Sequence, residues 1–365
     1  MDFIRNEDIR LLQQWIRECK HPVVVGHTHP DGDALGATAA LCLYLKNLAG
    51  KDVACAFSDN PPENLLFILP EEIPYCFHNR DAAATERRIR EADLVFLLDC
   101  NAFHRTESLE EPLKASPARK VLIDHHLNPD RDSFGLSFST PHISSASEVL
   151  YWILKALGQG PEGEAPKGAS AFSLATAGAS PSGQALPNDI GSALLTGMTT
   201  DTNNFANSVF PSTFRMASEL MAAGVDRDAI LQQIYNCYRE NRVRLMGYMQ
   251  SERMVLLPEG AAYMVLTREI QQRYDMHEGE TEGLVNVPLT IGKVRLSLFL
   301  KEDKGHFRVS IRSKKGTSAQ QLAMQYFHGG GHENAAGGKL FIGEDIPCAD
   351  DAPAYIEKAV KAFLA

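Results

Sequence analysis

Short, uninterrupted apolar runs recur through the first 130 residues, in PVVVGH, DVACAF, ADLVFLLD and RKVLID, separated by polar or helix-periodic stretches. Such runs are too short for helices and show little polar alternation, the pattern of strands buried on both faces of a parallel sheet. Residues 8–20 have helical spacing, and DALGATAALCLYLKNL follows the first run across a short loop. Helices return at DIGSALLTGMTTDT and STFRMASELMAAG, and a long helical stretch runs from Asp226 toward Met254. Beyond it, AAYMVLT, VRLSLFLK and HFRVSIRS read as strands, while TSAQQLAMQYFH and DAPAYIEKAVKAFL read as amphipathic helices. The pattern predicts an α/β protein in three parts. Residues 1–235 form a parallel-sheet domain with helices on both faces, 236–254 a helical linker, and 255–365 a smaller α+β domain. Residues 158–188, rich in Gly, Ala, Ser and Pro without periodicity, predict an exposed, mobile insertion.

Composition narrows the class. A chain of 365 residues with 44% hydrophobic content can bury two cores. No apolar stretch approaches the roughly 20 residues of a spanning helix. The opening MDFIRNEDIR has neither a basic start nor a hydrophobic signal core, so a soluble cytoplasmic protein without membrane partners is expected. The seven cysteines are odd in number and lack any C-x-x-C pair, which fits neither a disulfide framework nor a zinc ribbon. A net charge of -10 argues against binding long duplex nucleic acid but leaves room for short, deeply bound phosphates.

The loop after the first strand, G-H-T-H-P-D-G-D, sets His27, His29, Asp31 and Asp33 where open α/β sheets bind ligands. Pro30 and Gly32 bend the backbone so that Asp31 and Asp33 converge, and two anionic side chains so close need a cation. The plainer reading is an Asp-Gly turn with Asp33 capping the next helix. A dinucleotide site would need G-x-G-x-x-G, and carboxylates here would repel a pyrophosphate. Asp99 closes LVFLLD and Asp124-His125-His126 closes VLID, so two further strand ends offer Asp and His. Singly, each reads as a turn-starting Asp or a satisfied core histidine. Asp201 marks a polar break in LLTGMTTDTNNF, with a helix-terminal turn as its plain alternative. The set holds no thiolate, which suits manganese or magnesium better than structural zinc. Asp31, Asp33, Asp99 and Asp201 would together be balanced by two divalent cations.

In this order the segments resemble the motifs of the DHH family of phosphoesterases, named for the triplet present here as Asp124-His125-His126. GHTHPDGDALGA is similar to the first motif, LLDCNAFHRT to the second, LIDHHLNP to the third and TGMTTDTNNF to the fourth. GGGHENAAGG, preceded by SIRSKKG, resembles the glycine-rich motif of the first type of DHH-associated domain. The resemblance spans nearly the whole chain. It implies that His27, Asp31 and Asp99 hold one metal and that Asp33, Asp99, His125 and Asp201 hold the other, with Asp99 bridging. It also implies that His126 faces the substrate phosphate, that Arg105 is a further phosphate contact and that Asp124 orients its neighbours. His29 replaces the Asn usual in similar relatives and reads as a hydrogen-bonding group, a weak ligand or a solvent-facing histidine. Cys100 reads as a packing residue.

Two such metals would activate water for in-line attack on phosphorus, so no nucleophilic side chain is required. The second domain would add Arg312, Ser313 and the turn Gly330-Gly331-His332 as an anion pocket across a cleft, with a glycine C-cap after QQLAMQYFH as the plain alternative. Between Lys293 and Lys315, eight basic residues stand against two acidic ones. The resemblance points to the nanoRNase/pAp-phosphatase group. Its substrates are short oligoribonucleotides and 3'-phosphoadenosine 5'-phosphate (pAp); cyclic or linear dinucleotides are further candidates. Manganese is the expected cofactor, with magnesium or cobalt as alternatives, and homodimerisation is left open. Pyrophosphatases and polyphosphatases would carry a different C-terminal domain, and a noncatalytic nucleotide sensor would be disfavoured by the full set of ligand positions.

Overall fold

The computed structural model describes residues 3–158 and 186–364, apart from the side chains of Asn64 and His332. The insertion expected at 158–188 thus lies, from 159 to 185, outside the described residues. The chain forms two compact units, Met1–Cys237 and Tyr238–Ala365.

The first unit begins with α1 (Asn6–Glu18), β1 (Pro22–Val25), α2 (Gly32–Leu43), β2 (Ala54–Phe57), β3 (Tyr75–Phe77), α3 (Ala82–Glu91) and β4 (Leu94–Leu98). It continues through α4 (Glu110–Ala115), β5 (Arg119–Asp124), β6 (Leu136–Ser139), α5 (Ala146–Gly158), α6 (Asn188–Asp201), α7 (Pro211–Ala222) and α8 (Arg227–Tyr235). The six strands are all parallel, in the order β3-β2-β1-β4-β5-β6. Alternate side chains of the central strands feed two cores. Val24, Phe96 and Ile123 pack with α1, α2, α5 and α6, while Val23, Val95 and Leu122 pack with α3 and α4. The expected fold class is therefore present, with two more strands than the apolar runs disclosed. Both extra strands, YCF and LSFS, are sheet edges, which are short and carry weaker hydrophobic patterns.

All twelve residues of α2 are buried, and its sequence is apolar around nearly its whole circumference, as an enclosed helix requires. It crosses α6 so closely that a Cβ on Gly36 would lie 2.5 Å from the Ala193 carbonyl oxygen. A Cβ on Gly197 would lie 2.9 Å from Asp33 Oδ1. This crossing brings Asp33, at the start of α2, toward Asp201, at the end of α6.

The helical stretch expected from Asp226 toward Met254 is broken. Asn236 leaves helical geometry (φ -117°, ψ 19°) and Arg239 is extended, so α8 stops before α9 (Glu240–Glu252) starts. Asn, Cys and Tyr at 236–238 are weak helix formers, which makes this a cheap place to break.

The second unit contains α9, β7 (Met254–Leu257), β8 (Ala261–Leu266), α10 (Arg268–Arg273), β9 (Leu296–Asp303), β10 (His306–Ser313) and α11 (Ala319–Tyr326). It ends with β11 (Gly330–His332), β12 (Ala335–Phe341) and α12 (Ala352–Leu364). Its mixed sheet has the order β11-β12-β10-β9-β8-β7, with only the β8–β9 pair parallel. One face packs on α11 and α12, the other on α9 and α10. Among the described residues no helix is long and apolar enough to cross a membrane.

Gly36→Ala tests the helix crossing. Helix propensity would favour alanine by up to about 1 kcal/mol, but forcing a methyl against backbone costs about 1–3 kcal/mol. A lower urea midpoint with unchanged slope is expected; a midpoint at or above wild type would show slack between α2 and α6.

Candidate metal centre

The strand order reverses between β1 and β4, and a crevice at the carboxyl ends of such neighbours is where open α/β sheets bind ligands. β1 runs out into His27, β4 into Asp99, and β5 ends on Asp124. Asp99 is in the left-handed region, φ 55°, an uncommon and costly conformation that here turns the chain at the strand end. Its N–H donates to the Ile123 carbonyl at 3.0 Å, which ties the ends of β4 and β5 together.

Asp31, not Asp33, caps α2, its Oδ1 accepting from the N–H groups of Asp33 at 3.0 Å and Ala34 at 3.1 Å. Asp33 instead faces the start of α5, accepting from Ala146 N at 2.7 Å and Ser147 N at 3.0 Å. That helix start is itself fixed. Ser145 caps the Glu148 N–H, while the buried Glu148 carboxylate accepts from Ser144, from Trp152 and from Thr213 of α7. A buried carboxylate is tolerable because so many donors meet it.

The Asp and His residues converge. His27 Nε2 lies 3.4 Å from Asp99 Oδ2 and 3.7 Å from Asp31 Oδ1. His125 Nε2 lies 3.3 Å from Asp99 Oδ1 and 3.7 Å from Asp201 Oδ2. Ligand atoms within 4.8 Å of one another form three sets: His27, Asp31 and Asp99; Asp33, His125 and Asp201; and Asp99, His125 and His126. Asp99 thus has one oxygen toward His27 and the other toward His125. Its Oδ1 is buried without a well-formed hydrogen bond, as an oxygen reserved for a cation would be. His27 Nδ1 donates to the Thr28 carbonyl at 2.7 Å, which turns Nε2 toward the carboxylates as the ligating nitrogen. The donor set and this orphaned oxygen fit divalent cations.

Charge explains the protonation. Burial opposes charge on His125, but Asp99, Asp201 and Asp33 overcome it and raise its pKa to about 10. Burial likewise opposes charge on His27, yet Asp31 and Asp99 hold it well above the ordinary imidazole value. Asp201 is pushed up to about 7 by burial and by Asp99 and Asp31, with His125 opposing. Burial and the charges of Asp99 and Asp201 raise Asp33 well above the usual carboxylate range. Burial also opposes ionisation of Asp99, but His125 and His27 hold it well below that range. The cluster thus favours added positive charge.

Asp124 is fully buried and accepts from His126 twice, from Nδ1 at 2.7 Å and from the backbone N–H at 3.0 Å. Arg105 is half-buried on the loop after β4, where its carbonyl accepts from Thr28 N at 2.9 Å. His29 is 68% exposed and pairs with Asp59 at 2.9 Å, outside the three sets. Cys100 is buried and its thiol is raised to about 12 by burial, the state of an inert packing group.

Sequence reasoning missed the Ser145–Glu148 brace and two further supports. Asp59, past the end of β2, accepts from the Thr28 hydroxyl at 2.5 Å and from the His29 N–H at 3.2 Å, holding the loop that bears His27 and Asp31. Asn101 donates to the Leu127 carbonyl and accepts from the Asp130 N–H, joining the loops after β4 and β5. The strand-end position of Asp59 and the S-x-x-E pattern at Ser145–Glu148 were the available signals.

In the second unit, Arg312 and Ser313 end β10. Arg312 reaches the carbonyls of Ile311 and Ala336, and the Ser313 hydroxyl is engaged internally, donating to the Thr317 carbonyl and accepting from Asn334. Gly330, Gly331 and His332 form the edge strand β11; the His332 side chain lies outside the described residues. The glycine run is thus a hairpin strand beyond the helix end. A Cβ on Gly329 would overlap the Gly337 carbonyl oxygen, so packing alone demands glycine there. The basic run 293–315 is partly neutralised: Lys301 and Arg308 both bind Glu278.

The family model for the DHH family, N-terminal domain, matches residues 22–179, and that for the DHHA1 domain matches residues 260–362. The chain is 27% identical over 339 residues to the bifunctional oligoribonuclease and PAP phosphatase NrnA of Thermus thermophilus, covering 92% of this chain and 89% of that one. It is 28% identical over 224 residues to a probable NrnA of Streptococcus mutans, 60% of this chain and 62% of the relative. The crystal structure of an exopolyphosphatase-related protein from Bacteroides fragilis has a TM-score of 0.86 and 31% identity, covering 99% of this chain and 97% of that one. The parallel-sheet unit followed by a mixed-sheet unit is thus a fold that this chain shares with the Bacteroides fragilis structure over nearly its whole length. The chain belongs to the DHH family of phosphoesterases and carries a DHHA1 domain.

Because His125 holds its proton until about pH 10 and Asp201 until about pH 7, a cation entering the cluster must displace protons. Mn2+ affinity should therefore rise with pH, by about tenfold per pH unit for each proton displaced. Calorimetry in buffers of different ionisation enthalpy should show proton release; affinity independent of pH would contradict this protonation pattern.

Proposed function

We propose that this chain is a divalent-metal-dependent hydrolase of short oligoribonucleotides and of pAp. The observation that carries the reading is the placement of Asp99, with one oxygen toward His27 and the other toward His125. In this reading His27, Asp31 and Asp99 hold one cation and Asp33, Asp99, His125 and Asp201 the second. Four carboxylates then balance two divalent charges, and oxygen and nitrogen donors without a thiolate favour manganese, with magnesium or cobalt as substitutes. When bound, the pair would supply an activated water and charge stabilisation for in-line attack at phosphorus.

The chain's own groups do the rest. Asp124 fixes the tautomer and orientation of His126, which meets the phosphate beside Asp99. Arg105 offers a second phosphate contact from the neighbouring loop. In the DHHA1 unit, Arg312 and those N–H groups of the edge strand Gly330–His332 that point away from β12 bind a phosphate, with Ser313 and Asn334 shaping the loop beside them. The relatives named oligoribonuclease and PAP phosphatase support this substrate class. Polyphosphate is the rival that the exopolyphosphatase-related protein of Bacteroides fragilis raises.

Purified protein with Mn2+ should hydrolyse two- to five-nucleotide RNA and pAp faster than polyphosphate, pyrophosphate or cyclic dinucleotides. A preference for polyphosphate, or no hydrolysis of any of them, would overturn the reading. Asp99→Asn should abolish turnover and lower bound metal. Asp124→Asn should keep both metals while turnover drops about 10–100-fold, as when a group supporting a neighbouring active-site residue is lost. Near-wild-type rates in either variant would contradict the assigned role.

A further inference from the structure

The segment after Asp201 holds a feature that the metal chemistry does not explain. Asn203, Asn204 and Phe205 are three consecutive left-handed residues (φ 47°, 56° and 67°), although non-glycine residues normally enter this region singly. The turn persists because it is held on several sides. Asn204 N–H donates to the Thr199 carbonyl at 2.8 Å, Phe205 N–H to the Thr202 hydroxyl at 3.0 Å, and Arg227 to Asn204 Oδ1 at 2.6 Å. Its effect is to set the Phe205 ring parallel to that of Phe214, on the first turn of α7, with centroids 5.3 Å apart and planes within 12°. The Arg227 guanidinium lies 5.8 Å from the Phe205 centroid. Phe214 is 54% exposed, a large aromatic surface left in water on α7, where Met221 is exposed as well while Met216, Ala217 and Leu220 are packed.

We infer that Phe205 and Phe214, with Arg227 beside them, form a stacking platform for a nucleobase of the substrate. Phe205 follows Asp201, the last residue of α6, by four residues, so the platform lies on the segment that leaves the Asp and His cluster, where a phosphodiester held at the cluster could place a base. The two rings stack on each other at 5.3 Å, which leaves no room between them, so a base would lie on the exposed outer side of Phe214; such stacking tolerates any base because every base has a π face. Arg227 adds a cation that complements the ring faces and a nearby phosphate. This inference rests on the nucleotide reading above and adds the element that would separate nucleotides from polyphosphate, which has no ring to stack.

The test compares wild type with Phe214→Ala, Phe214→Leu and Phe214→Trp. Phe214 is exposed, so circular dichroism and melting should show all three folded. With diribonucleotide as substrate, alanine and leucine should raise KM by at least about fivefold, the low end for losing one stacked base. Tryptophan should restore it, and the effect should be clearly smaller for a dinucleotide lacking its bases. Calorimetric binding of a hydrolysis-resistant phosphorothioate dinucleotide, read in parallel, should weaken in the same order. Equal losses on the normal and abasic substrates, or leucine performing like phenylalanine, would overturn the platform. Wild-type binding that depends on Phe214 but leads to no hydrolysis would overturn the hydrolase reading and leave the platform standing. Absence of both binding and turnover would sink both.

Discussion

Like charges forced together in a dry place govern this molecule. Asp33 and Asp99 are almost wholly buried, and Asp31 and Asp201 stand beside them at the mouth of the parallel sheet. Carboxylates so arranged repel one another and lose hydration, so the cluster persists only with compensating positive charge. Protonated His27 and His125 supply part of it. Divalent cations would supply more charge in less space, and Asp99 Oδ1, buried without a well-formed hydrogen bond, is where one would be expected.

Much of the first unit serves to hold those groups against their repulsion. The parallel sheet delivers His27, Asp99 and Asp124 to one edge, while the close crossing of α2 and α6 brings in Asp33 and Asp201. Hydrogen bonds then pin each part: α5's first N–H groups on Asp33, Asp59 on the loop after β1, and Asn101 between the loops after β4 and β5. The Glu148 network carries the restraint back to α7, so the site is braced by core packing and not by loops alone. The same α7 bears Phe214, which links the bracing to the proposed base platform.

In the second unit, restraint falls on the residues to which recognition is proposed. Asn334 donates to Ser313 Oγ and to the Lys314 and Thr317 carbonyls, locking the loop beside the glycine hairpin. A hydroxyl so engaged shapes the surface more than it binds from it. Arg312, whose pKa burial lowers, donates to the carbonyls of Ile311 and Ala336, neutral groups that would leave its charge for the proposed anion.

The linear chain by itself determined the kinds of elements and the chemistry at their ends. Apolar runs in PVVV, LVFLL and VLI, each followed by Asp or His, announce buried parallel strands and the groups at their mouths, because strand burial and strand-end polarity are local properties. The edge strands YCF and LSFS, the break between α8 and α9 and the hairpin in GGGHENAAGG were not legible, since each depends on what a neighbour in space provides. Spacing along the chain likewise could not show that Asp31 caps α2 while Asp33 reaches α5, a contact 113 residues away. Nor could it show that Asp59 restrains the first loop, or that Phe205 and Phe214 stack. Those facts arise from close approach between distant segments, and only the folded chain, in which packing and desolvation act together, decides them.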